Sequence, residues 1–273
     1  MMLISFIYFY ALIIGLCVGS FINVIVDRLP NDLSIIKPRS FCPKCKSKLT
    51  WRENIPLISW FIQKGRCKNC KTLISIRYPI VELLTAILFV VFINSSPSVY
   101  SLNFNYLFNV FSSWLFLSVL ICISLIDIEN FWIPQGLINF GFLSGCLCLI
   151  FIGFLNTKFI DFYLLLRGLG SSAISFFIFE SLRYLAKYIF KKDAIGKGDS
   201  KLVAMLALWL APIGTLFAVS LAYIFAAIYC LVGLSLNILR FKQVIPFAPF
   251  LSLGGLLIWL IGNDFVIYKI LRF

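Results

Sequence analysis

Met1-Met-Leu-Ile-Ser-Phe-Ile-Tyr-Phe-Tyr10, Ala11-Leu-Ile-Ile-Gly-Leu-Cys-Val-Gly-Ser20 and Phe21-Ile-Asn-Val-Ile-Val26 follow one another without a single charged side chain. About 20 apolar residues span a bilayer as a helix. A secretory signal would add a basic n-region and a small-residue cleavage site; this stretch shows neither, so it reads as a retained span. Working outward, further apolar runs lie at about 79–94, 106–126, 136–156 and 163–182. The run 201–239 is too long for one helix and should break at Ala211-Pro212-Ile213-Gly214, because proline removes an amide donor and crowds the preceding turn. A last run covers about 247–263. Composition agrees: 61% of residues are hydrophobic and only 13% charged, against about 25% charged in soluble domains. The expected fold is an all-α polytopic membrane protein of about eight transmembrane helices. Its expected parts are a first span (1–26), a polar loop domain (27–78) and a membrane core (79–273).

Basic residues number 24 against 11 acidic ones, a formal charge of +13. On a soluble chain that excess would suggest nucleic acid. On a membrane protein it points to loops on the cytoplasmic side, in contact with anionic lipid. The expected partners therefore include membrane lipids and no nucleic acid. With the N-terminus outside, the inner loops 27–78, 127–135, 183–201 and 240–246 hold 20 of the 24 Lys and Arg residues. That bias puts both termini outside and the long loop in the cytoplasm. The chain has no histidine, which excludes Ser-His-Asp triads, Cys-His pairs and HExxH zinc hydrolases. Acid–base chemistry must run on other groups.

In the long loop, Cys42-Pro-Lys-Cys45 is followed after 21 residues by Cys67-Lys-Asn-Cys70. Two CxxC turns each aim two thiolates at one point, and four thiolates complete a closed tetrahedral zinc site. Such a site is structural, and the flanking Lys and Arg offset its negative charge. Two disulfides are a competing reading, disfavoured on a reducing side of the membrane. A redox CxxC is another, although two pairs in one small polar loop fit a metal better. The remaining cysteines, at 17, 122, 146, 148 and 230, lie in apolar runs and read as small core residues.

Carboxylates at membrane depth are costly and usually functional. Asp127, in Leu125-Ile-Asp127-Ile-Glu129, closes the third span; Asp199, in Gly196-Lys197-Gly198-Asp199, stands just before the sixth. The topology puts both at the cytoplasmic boundary. Two carboxyls at one depth suggest an aspartyl dyad, one acting as base on water and the other as acid toward a carbonyl. Gly196 and Gly198 would let the backbone bend and a peptide approach. The bland alternative makes Asp199 a helix N-cap and Asp127 a solvated helix end. Glu180 can pair with Arg183 one turn on, and Glu82 sits in the first turn of the second span, where acids suit the helix dipole. An ion-coupled transporter relaying protons through buried acids is the competing function, though no internal repeat supports it.

The chain resembles the bacterial type IV prepilin peptidases along nearly its whole length. Gly19-Ser-Phe-Ile-Asn-Val24 with Arg28-Leu-Pro30, the Cys42–Cys70 loop, Arg77-Tyr-Pro-Ile-Val-Glu82, Leu125-Ile-Asp127 with Ile133-Pro134, Gly196-Lys-Gly-Asp199 and Pro246-Phe-Ala-Pro-Phe250 are similar to that family's motifs, in order. The resemblance implies Asp127 and Asp199 as the catalytic dyad, supported by Gly196 and Gly198, with Cys42, Cys45, Cys67 and Cys70 as zinc ligands. It further implies cleavage of a basic leader from type IV prepilin or pseudopilin precursors, serving pili or secretion, and methylation of the new N-terminal residue from S-adenosylmethionine. Four positions depart from the family's pattern: Lys46 and Lys71 follow the CxxC pairs where a glycine is common and would leave those turns less relaxed, Ala248 replaces a common glycine in the last motif, and Ser200 a common apolar residue after Asp199.

Overall fold

A computed structural model describes residues 2–94, 104–157, 161–191, 196–240 and 243–262. The helices are α1 (Met2–Arg28), α2 (Ile58–Ile62), α3 (Arg77–Asn94), α4 (Phe104–Asn130), α5 (Gln135–Thr157), α6 (Phe162–Phe190), α7 (Lys197–Ser235) and α8 (Ala248–Ile261). Among the described residues extended pairing is limited to two isolated bridges, Phe41 with Lys48 and Arg66 with Leu73. Five helices are long and apolar enough to cross a membrane, and α8 is a shorter apolar one. α7 is not continuous. Ala211 takes φ 57°, ψ 176° immediately before Pro212, so the helix breaks where the sequence places the break. Among the described residues, then, five helices meet the length and apolarity of a span, against the eight expected from the apolar runs.

The chain separates into two compact units, Met1–Leu102 and Asn103–Phe273. The boundary falls after α3, so α3 packs with α1 and the polar loop, whereas the sequence grouped residue 79 onward as one core. In the first unit α1 and α3 touch backbone to backbone. A Cβ at Gly15 would lie 2.6 Å from Ala86 Cα, and one at Gly19 2.7 Å from Glu82 Cα. Small residues one turn apart are what let apolar helices approach this closely. The contact is closed at its polar end by Arg77 and Tyr78, which both donate to the Asp27 carboxylate, and by the Asn23 side-chain amide, which donates to the Tyr78 carbonyl at 3.1 Å.

Glu82 is buried, and its carboxylate accepts the Leu57 backbone amide at 2.7 Å. The dipole reading of Glu82 is thus incomplete: the side chain ties the polar loop to α3. Leu57 sits at φ 59°, a backbone state that this hydrogen bond helps hold.

In the second unit the first half of α7 is a central helix, with Leu202 to Leu210 buried throughout. Ser171 and Ser172 of α6 donate to the carbonyls of Ala207 and Ala204, each at 2.7 Å. Trp209 donates to the Gly141 carbonyl of α5 at 2.9 Å and stacks on Phe116 of α4. Trp259 of α8 donates to Ser113 of α4 at 2.9 Å. Side-chain hydrogen bonds thus reinforce packing where apolar attraction between helices is weak. Of the non-loop cysteines Cys122 is buried as expected, but Cys17 faces outward.

Candidate active site and metal centre

α4 runs on to Asn130, with Phe131 at φ 52° beyond it. Asp127 therefore lies within the last turn of the helix instead of closing it. It is buried, and its carboxyl group accepts the backbone amide of Ala248 at 3.0 Å. Phe247 is the N-cap of α8 and Ala248 its first residue, so the carboxyl of one helix caps the start of another 121 positions away.

α7 begins at Lys197, with Gly196 as N-cap. Asp199 is in its first turn, not before it, and its carboxyl reaches back to the Gly196 amide at 3.2 Å. The N-cap reading of Asp199 therefore fails, although a capping hydrogen bond is made. The two carboxyl groups lie within electrostatic range of each other. A Cβ at Gly198 would meet Ile133 Cβ at 2.9 Å, which shows how closely the Gly196–Asp199 turn sits against the segment leaving α4.

Sequence reasoning missed the residues around the pair. Tyr223, in the second half of α7, is within electrostatic range of Asp199 and packs against Phe247 in a tilted ring pair with centroids 5.2 Å apart. The Pro246-Phe-Ala-Pro motif carried a signal for α8; Tyr223, one of 11 tyrosines, carried none. Glu180 pairs with Arg183 as expected, Arg183 Nε donating at 3.0 Å.

The four loop cysteines converge. Their sulfur atoms all lie within 4.8 Å of one another, with Cys42 to Cys70 at 3.8 Å and Cys45 to Cys67 at 4.0 Å. A tetrahedral ion with metal–sulfur bonds of about 2.3 Å requires sulfurs about 3.8 Å apart, so the cluster can hold a metal ion. Both turns have the same build. The Lys46 amide donates to Cys42 O and the Lys71 amide to Cys67 O, each at 2.9 Å. Lys46 and Lys71 take φ 58° and 59°, the left-handed state in which glycine would be relaxed. The Thr72 hydroxyl and amide at Cys70 pull its thiol down to about 6, and Ser47 lowers that of Cys45 in the same way. None of the four is in a disulfide.

Fold and site define a polytopic helical membrane protein with a four-cysteine cluster that could hold a metal ion. Residues 13–95 match the model of the bacterial peptidase A24 N-terminal domain, and residues 114–231 that of the type IV leader peptidase family. The chain is 35% identical to a prepilin leader peptidase/N-methyltransferase of Myxococcus xanthus, over 78% of this chain and 59% of that protein. It is 32% identical to a type 4 prepilin-like proteins leader peptide-processing enzyme of Escherichia coli, over 89% of each. With a prepilin leader peptidase/N-methyltransferase of Bacillus subtilis it shares 31% identity over 94% of this chain and 96% of that protein. No solved structure matches. The chain belongs to the type IV leader peptidase family.

Proposed function

We propose that this protein is a membrane aspartic endopeptidase that removes the basic leader from type IV prepilin-like and pseudopilin precursors and then methylates the new N-terminal residue. The reading is supported above all by Asp127 and Asp199, 72 positions apart in the sequence, lying in the last turn of α4 and the first turn of α7 within electrostatic range of each other. One carboxylate takes a proton from a water as it attacks the scissile carbonyl, and the other carboxyl protonates the carbonyl oxygen. Close carboxyls share a proton in this way because both cannot be ionised at little cost. The amides of Ala248 and Gly196 orient the two groups. The excess of Lys and Arg in the inner loops supports a cytoplasmic placement of the polar loop and of the two aspartates. There the pair meets the junction between a precursor's polar leader and its apolar segment.

Zinc is the metal that a four-thiolate tetrahedron suits best. Cys42, Cys45, Cys67 and Cys70 would hold it, and it would supply folding energy to the loop. Methyl transfer would draw on S-adenosylmethionine. No glycine-rich strand-to-helix turn of the dinucleotide-binding kind occurs among the described residues to hold it. A carrier function gains no support from the relatives, which are named as peptidases.

Co-expression with a prepilin precursor tests the assignment. The intact protein should shorten the precursor, and mass analysis of the product's N-terminus reports the cut and any methyl group together. Asp127→Asn and Asp199→Asn should each abolish the cut while leaving the protein in the membrane; processing by both variants would refute the dyad.

A further inference from the structure

Arg52, Lys64, Arg66, Lys68 and Lys71 surround a cavity of about 880 Å³ beside the cysteine cluster, with Cys67 in its wall. All five cations are exposed. Glu53, the acid that shares this cavity, is already engaged: its carboxylate accepts from the Thr50 amide and hydroxyl, each at 2.8 Å, and faces Lys68 at 3.9 Å. Among the described residues no carboxylate forms a salt bridge with Arg52, Lys64, Arg66 or Lys71. Charge balance of the metal centre does not account for them. Residues 27–78 hold 12 Lys and Arg against three acids, so even the two negative charges of a zinc–tetrathiolate centre leave seven cations in excess.

Backbone geometry points the same way. Lys64 and Lys71 adopt φ 51° and 59°, where any side chain is strained relative to glycine, yet both positions carry lysine. Strain of this kind persists where the side chain has a use. Next to the cations stands an apolar rim. Trp51, Ile58, Phe61 and Ile62 are between 55% and 75% exposed, and Ile62 also lines the cavity. Cations beside exposed aromatic and aliphatic groups are the composition of a surface that lies in a membrane interface. The loop is carried between α1 and α3, so a bilayer is always at hand.

We propose that this cavity and its apolar rim dock on the anionic leaflet, the cations taking phospholipid phosphates and α2 resting among the headgroups. This occupant fits the charge. A basic leader peptide is repelled by the same cations, and a neutral partner would leave them unanswered. The docking reading is independent of the peptidase assignment, because it concerns the loop with no precursor present.

The test uses the full chain in nanodiscs, with amide hydrogen exchange read over residues 50–71. In discs containing phosphatidylglycerol this segment should exchange more slowly than in pure phosphatidylcholine discs, and the difference should shrink at high salt. Inorganic phosphate added to phosphatidylcholine discs should not reproduce the protection. Each cation near an anionic surface favours the bound arrangement by about fivefold, so a Lys64→Gln/Arg66→Gln/Lys71→Gln variant should lose about two powers of ten and with them the protection. A Lys64→Arg/Arg66→Lys/Lys71→Arg variant should keep it, which separates charge from folding. Equal exchange in the two bilayers, protection by phosphate alone, or protection surviving in the glutamine variant would each overturn the proposal.

Discussion

Replacing Gly198 with alanine separates stability from activity at the proposed active site. The added Cβ would stand 2.9 Å from Ile133 Cβ, 3.0 Å from its Cδ1 and 3.2 Å from its Cγ1. Non-bonded carbons rest at about 3.5–4.0 Å, so one side must yield by about 0.5–1 Å. Ile133 packs against the core of the second unit and resists, which moves the α7 start that carries Asp199. A misplacement of about 1 Å at a reacting group costs about 10²-fold in rate. Backbone conformation does not add to this, since Gly198 is not among the positive-φ glycines. Alanine in a helix is favoured over glycine by about 1 kcal/mol, which offsets part of the about 1–3 kcal/mol that overpacking costs. The expected result is a variant with a slightly lower thermal unfolding midpoint than the parent, and with kcat/KM for precursor cleavage in membranes lowered about 10²-fold. Gly170→Ala is the control: a Cβ there would meet nothing within 4 Å, and cleavage should be unchanged. If Gly198→Ala cleaves within threefold of the parent, the close contact does not govern the site.

Other perturbations test neighbouring parts of the structure. Thr72→Val removes the hydroxyl 3.1 Å from Cys70 Sγ; partners of metal ligands are worth about 10–100-fold in affinity, so a chelator should strip the metal at correspondingly lower concentration. Glu82→Ala leaves the Leu57 amide without its acceptor and should cost the first unit about 1.5–3 kcal/mol, read as a lower unfolding midpoint for the loop. An amide-to-ester replacement at Ala248 deletes the donor to Asp127 with almost no steric change. A hydrogen bond to a charged group contributes about 1.5–3 kcal/mol, so kcat should fall by about one to two powers of ten with KM nearly unchanged; a full-rate ester enzyme would show that Asp127 needs no such support.

The parts legible in the sequence were those written in local pattern. Uninterrupted apolar runs located the helices, Pro212 located the break in α7, and the two CxxC turns located the metal cluster down to the strained lysines that follow them. The two aspartates were legible because a charge at membrane depth demands a reason. Distant partners were not. Nothing local reveals that Gly15 and Gly19 bring α1 against α3, and so assign α3 to the first unit. Glu82 read as a helix-dipole acid because its partner, the Leu57 amide, belongs to an irregular loop turn. Helix ends were misjudged by a few residues: α4 and α7 extend past the apolar runs that announce them, which puts both aspartates inside helices. Tyr223 was invisible, since its link to Asp199 runs through the fold.

The two carboxyl groups are held by a common device. Asp127 and Asp199 leave different helices, yet each carboxyl accepts from an amide at the start of a helix, α8 for one and α7 for the other. An unpaired carboxyl inside a helical bundle is costly, and the free amides at helix starts are donors that the helix itself does not use. Bringing the first turns of α7 and α8 to the same place therefore makes room for two acids where one would already be expensive. Pro249 suits the same place: in the first turn of α8 a proline removes an amide that would have no partner in the helix. The acids and the helix starts are then one structural unit, and moving either helix by a fraction of a turn should disable the pair without touching an aspartate.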